Sequence, residues 1–166
     1  MFWLGLIVLM MMQPVSTLWA AETRIATIDL SRAFDEFKRT KEADKTLQAK
    51  GSEKKAERDK KIAEIKKLKD ELELLSDKGK QEKQALIDQK VKELQEFDRE
   101  VRDSLRQERD QIVQEILKEI DQTIKNYGDK NGYTLILNDR VLLYKEKTLD
   151  VTNDIIELLN GASKGR

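Results

Sequence analysis

The sequence predicts an α+β fold that is mostly helical: a small β-rich oligomerisation body carrying one long, antiparallel, coiled-coil-like helical hairpin. Three observations lead there. Charged residues make up 39% of the chain and aromatic ones only 5%, too little apolar volume for a large globular core but suited to long exposed helices. The single proline is Pro14, so everything after it is free of the strongest helix breaker. A compact apolar segment, YTLILNDRVLLY at residues 133–144, then follows a long stretch dominated by Lys, Glu, Asp and Gln.

Composition also excludes whole classes of chemistry. His and Cys are both absent, which removes thiol chemistry, histidine acid–base work and the usual zinc ligands. The carboxylates are abundant but scattered along solvated helices, so no catalytic pair stands out. The chain is expected not to be an enzyme and to need no metal or cofactor. Its formal net charge is zero, so no global field draws it to nucleic acid, which is not an expected partner. At the start, Phe2 to Met12 form an uncharged apolar run, shorter than the roughly 20 residues that span a bilayer. Leu18 and Ala20 fit the −3 and −1 positions of a cleavage site. Residues 1–20 are therefore expected to be a signal peptide that exports the chain.

The elements follow in order. A strand is expected at about 24–30, with Ala26, Ile28 and Leu30 on one face. Ser31 or Asp29 caps the helix that opens RAFDEFKRTKEA. From Lys38 to Leu75 the chain is almost pure helix former, yet between Lys41 and Lys61 the only aliphatic side chain beyond alanine is that of Leu47. Ile62, Ile65, Leu68, Leu72 and Leu75 then make a narrow stripe on one helix face. SDKGK at 76–80 reads as a turn. Apolar side chains resume at Leu86, Ile87, Val91 and Leu94 and continue through Val101, Leu105, Ile112, Ile116, Ile120 and Ile124, with Asp98 and Glu108 intruding. A heptad-like seam with weak points is the pattern of two helices packed antiparallel. It defines an arm over 38–110. The returning helix is the longer, so its surplus must pack on the body, which comprises 21–37 and 111–166.

Gly128 and Gly132 are expected to end that helix. Strands at about 133–138 and 141–146 form a hairpin across a short loop. Leu135, Ile136 and Leu137 put apolar side chains on both faces, so both are expected to be covered. Thr152 caps a last helix at about 152–160, packed by Ile155, Ile156, Leu158 and Leu159.

Three short strands and a short helix bury too little surface to be secure alone. Strands from several copies joined into one sheet or barrel resolve this. The expected interface is Ile25, Ile28, Leu30, Leu135, Ile136, Leu137, Leu142 and Tyr144.

The layout resembles the Skp/OmpH-like periplasmic chaperones. The residues that carry the likeness are IATIDLSRAFDE after the signal peptide, LSDKGKQEKQALIDQKVKELQEF around the turn, and NGYTLILNDRVLLYKEKTLDVTNDIIELLN at the end. The resemblance implies a jellyfish-shaped homotrimer in the periplasm: a β-rich trimerisation body with three arms around a cavity that holds unfolded outer-membrane proteins. It implies no catalysis. Family members are strongly basic and reach the membrane surface or lipopolysaccharide; this chain is neutral, and no residue cluster is assigned to such contact. A holdase of this kind works through many weak contacts. The candidates are Ile62, Ile65, Leu68, Leu72, Leu75, Leu86, Ile87, Val91 and Leu94, with Lys66, Lys67, Lys69, Lys78, Lys80 and Lys83 near the tip to attract acidic segments. The alternative is an exported coiled-coil spacer of the cell envelope, against which the irregular stripe and the terminal strands argue.

Overall fold

A computed structural model of the protein describes residues 23–73 and 75–162. The expected signal peptide and its cleavage site lie outside the described residues. The element order is β1 (Ile25–Ile28), α1 (Leu30–Glu36), α2 (Lys38–Leu72), α3 (Asp77–Asn131), β2 (Leu135–Asn138) and α4 (Thr152–Ala162), with single 3-10 turns at Asp139–Val141 and Lys147–Leu149.

The arm is α2 folded back against α3. Their 35 and 55 residues correspond to roughly 52 Å and roughly 82 Å. The break falls between Leu72 and Asp77, earlier than the 76–80 expected. Gly79 lies inside the first turn of α3, where Ser76 occupies the N-cap position and Asp77 complements the helix dipole. Nor does α3 stop at Gly128. It runs unbroken into the body and ends at Gly132, whose φ of 69° is left-handed; the N–H groups of Gly132 and Tyr133 close on the Gly128 carbonyl. Gly128 itself is helical and buried. A Cβ built there would meet Ile136 Cδ1 at 3.4 Å, so glycine lets β2 approach the helix.

The two strands pair in parallel, Ile25 opposite Leu135 through Ile28 opposite Asn138. The hairpin predicted from sequence does not form, and 141–146 is not a strand. Asn138 Oδ1 accepts from the Arg140 N–H and turns the chain into a 3-10 turn, while β2 takes β1 as its neighbour. On the other edge of β1, Asp150 bridges Thr27 and the Val151 N–H reaches the Thr27 carbonyl at 3.0 Å. One edge of β1 thus meets β2 and the other meets this bridge.

The body's core gathers Ala26 and Ile28 of β1, Ala33 of α1, Phe37, Ile116 and Ile120 of α3, and Val151, Ile155, Ile156 and Leu159. These are the surplus turns of α3 finding their partner. Arg24 lies 4.8 Å over the Tyr133 ring, which stacks on Tyr127 at 5.8 Å and so fastens the end of α3 beside β1.

Candidate functional site

Along the arm, ion pairs cross between α2 and α3. Arg39 reaches Glu115 and Glu119 at 2.6 Å each, Lys50 pairs with Glu108, and Arg58 Nε meets Asp98 at 2.9 Å. Lys90 meets Glu64 at 3.2 Å and Lys83 meets Glu71 at 2.5 Å. The partner retreats along α3 as the chain advances along α2, so the ladder tracks one antiparallel register. Asp98 and Glu108, read from sequence as intrusions in an apolar seam, are acidic halves of two rungs.

The aliphatic candidates divide. Ile65 and Ile87 are buried in a region where α2 and α3 have only each other to pack on. They zip the arm and are not free to touch another polypeptide. Leu68, Leu72, Leu75, Val91 and Leu94 are half-buried, and Ile62 and Leu86 are exposed. Lys66, Lys67, Lys69, Lys78 and Lys80 project into solvent, whereas Lys83 is committed to Glu71 and holds that carboxyl below its ordinary range. Two exposed aliphatic side chains, Ile62 and Leu86, and five half-buried ones therefore remain among the lysines near the tip, fewer than the sequence implied.

The expected interface residues also divide. Ile28 is buried within its own protomer because it shares the inner face of β1 with Ala26, and Leu30 and Ile136 pack on the same core. Leu137 and Leu142 are half-buried, while Ile25 and Leu135 are exposed. Both faces of β2 are thus not covered by this chain alone. Tyr144 is 81% exposed, and beside it stand Val141 at 72% and Leu143, wholly exposed, two residues the sequence reading missed. The backbone is extended at Leu142 (φ −104°, ψ 133°) and again at Glu146 (φ −78°, ψ 145°). The N–H groups of residues 143–146 have no backbone partner among the described residues. Between Leu142 and Glu146 the chain bends at Leu143, and the segment carries strand-like side chains without a neighbour.

A polar clasp presents it. Lys145 Nζ donates to Asp139 at 2.9 Å and to Asp150 at 2.8 Å, drawing together the two ends of the segment. Asp150 also accepts the N–H and the hydroxyl of Thr152, and Thr152 Oγ1 accepts the Asp29 N–H at 2.9 Å. Asp150, rather than Thr152, therefore caps α4, and Asp29 caps α1 by accepting the Arg32 N–H at 2.9 Å. Burial alone would push the Asp150 carboxyl up, but Lys145 and Thr152 outweigh it and hold the group at about 2. With a folded value below the ordinary 3.8, its stabilisation is complete above that value and is lost as pH falls through about 2. Asp150→Asn is expected to cost about 1 kcal/mol at neutral pH. It should also flatten the loss of helical circular dichroism between pH 3.8 and about 2; an acid limb identical to that of the unchanged chain would contradict this assignment.

Of the grooves, one of about 660 Å³ between the end of α3 and α4 is lined by Thr123, Tyr127, Lys130, Asp154 and Leu158. Tyr127 donates to Asp154 at 2.6 Å, and burial followed by that carboxylate pushes the phenol up, so it stays a donor. No group of acidic side chains suited to a metal ion occurs among the described residues.

A family model, that of the OmpH-like outer membrane proteins, matches residues 24–159. No curated protein matches the sequence. Among solved structures, the OmpH-like protein of Caulobacter crescentus CB15, ascribed an outer-membrane chaperone role, superposes with a TM-score of 0.79 at 12% identity, covering 86% of each chain. That likeness is one of fold.

Proposed function

This chain belongs to the OmpH-like chaperone family, and from that membership we propose that it is an exported periplasmic holdase. It binds unfolded outer-membrane proteins between helical arms and keeps them from aggregating on their way to the outer membrane. Copies join through the body, as a homotrimer in the reading drawn from the family, so that several arms surround one cavity. The observation that carries this is the unpartnered segment at 141–146, whose exposed Val141, Leu143 and Tyr144 a single copy leaves in water.

The arm suits such a task. Unfolded outer-membrane strands alternate apolar and polar side chains. Ile62 and Leu86, set among exposed lysines, offer contacts too weak to trap a client singly. Several arms around one space convert weak contacts into retention by raising effective concentration.

The test is to dilute a urea-unfolded outer-membrane barrel protein into buffer containing the chain processed at Ala20, following light scattering and then sedimentation. Suppressed scattering near stoichiometric ratios, with co-sedimentation of the client, is the expected result. Scattering unchanged over a molar excess would leave the chain a coiled-coil spacer.

A further inference from the structure

The arm is not held together in one way along its length. Near the tip an apolar seam, with Ile65 and Ile87 buried, stands behind the Glu64–Lys90 and Glu71–Lys83 pairs. In the middle no such seam does. From Lys41 to Lys61 α2 offers Leu47 as its one aliphatic side chain beyond alanine, and at Gly51 the position of a Cβ has nothing within 4 Å. Opposite this bare stretch, α3 presents Phe97, Val101 and Leu105, none of them buried. A groove of about 490 Å³ runs between the helices there, lined by Lys50, Lys54, Phe97, Val101, Leu105 and Glu108. What bridges it is ionic: Lys50 to Glu108 and Arg58 to Asp98. The side chains of these two pairs are between 31% and 47% exposed, so dissolved salt reaches them.

We propose that the middle of the arm is an ionic clasp, in which Lys50–Glu108 and Arg58–Asp98 hold α2 to α3 so that ionic strength sets how far the helices part, while the apolar tip preserves their register. Exposed ion pairs are individually weak, and they matter here because little apolar contact stands behind them. The Debye length shrinks from roughly 14 Å at about 0.05 M salt to about 3 Å at about 1 M, which removes most of their attraction. Parting uncovers Phe97, Val101 and Leu105, apolar side chains outside the set expected from sequence. The clasp belongs to the free chain and stands whether or not the holdase reading does.

Amide hydrogen exchange on the processed chain, at about 0.05 M and about 1 M sodium chloride, tests this. Protection of residues 45–60 and 97–108 is expected to fall roughly three- to tenfold in the higher salt. Amides around Ile65, Ile87 and Ile155 should change less than about twofold, because apolar burial is not screened. Lys50→Glu with Arg58→Glu should lower mid-arm protection in low salt, and added salt should then raise it by screening the new repulsion. Adding Glu108→Lys and Asp98→Lys to that variant should restore the original response. A uniform change along the arm, or a swapped variant that still gains protection with salt, would overturn the clasp.

Discussion

Replacing Phe37 with alanine is expected to destabilise the body by about 3–5 kcal/mol. Phe37 interrupts the first long run of helix: its φ of −68° and ψ of 127° end α1 at Glu36 and start α2 at Lys38. The ring is wholly buried in the core formed with Ile116, Ile120 and Ile155. Asn160 brackets the same junction, accepting the Lys38 N–H at 2.8 Å and donating to the Glu36 carbonyl at 3.3 Å. The arm's root, α3 and α4 therefore meet around one side chain. A domain has roughly 5–15 kcal/mol in total, so this loss takes a large share of it. Urea denaturation followed by circular dichroism should show the main transition at a much lower midpoint, with part of the arm's helix signal surviving as a separate phase. Phe37→Leu, which keeps most of the volume, should recover most of the difference. If alanine cost under about 1 kcal/mol, Phe37 would not be the joint it is taken for here.

The parts of this fold legible in the sequence are those whose cause is local. The 3–4 spacing of aliphatics forces the two arm helices, and Asp29 could be read as a cap because its acceptor lies within a turn of its donor. The errors arose where the deciding partner is distant in sequence. VLLYKE has the β-branched and aromatic character of a strand, but that character reports fitness for a half-buried surface, not the identity of a neighbour. Here β2 chose β1, more than a hundred residues earlier in the chain, and left 141–146 unpaired. Gly79 looked like a turn because glycine often is one. Ser76 followed by Asp77 was the stronger signal, since that pair reads as a helix start. The same limit applies to the candidate site. Ile62 and Ile65 are indistinguishable by type, and only the position of α3 makes one exposed and the other buried. Asp98 and Glu108 were visible as breaks in an apolar pattern; that they pair with Arg58 and Lys50 needed the register.

The remaining large effect concerns assembly. Leu143→Ser with Tyr144→Ser is expected to convert the processed chain to single copies at micromolar concentration. Both side chains are exposed in the protomer, so the double variant should keep its helix content and its own core. What it loses is apolar area available to a second copy. Burying a leucine or a tyrosine is worth about 1.5–3 kcal/mol, and aromatic anchors near the centre of an interface carry most of its energy. Losing both should weaken each contact between copies by roughly 10²- to 10⁴-fold. The clasp at Lys145 strengthens the case, since a segment already fixed by Asp139 and Asp150 is ordered before it binds. On the proposed holdase reading, retention of a client depends on several arms acting at once, so holding should fall with assembly although every arm residue is intact. Analytical ultracentrifugation paired with the scattering assay separates the outcomes. A variant that stays associated would place the contact between copies elsewhere on the body. One that dissociates yet still suppresses aggregation would mean that a lone arm suffices, and the enclosed cavity would no longer be needed to explain holding.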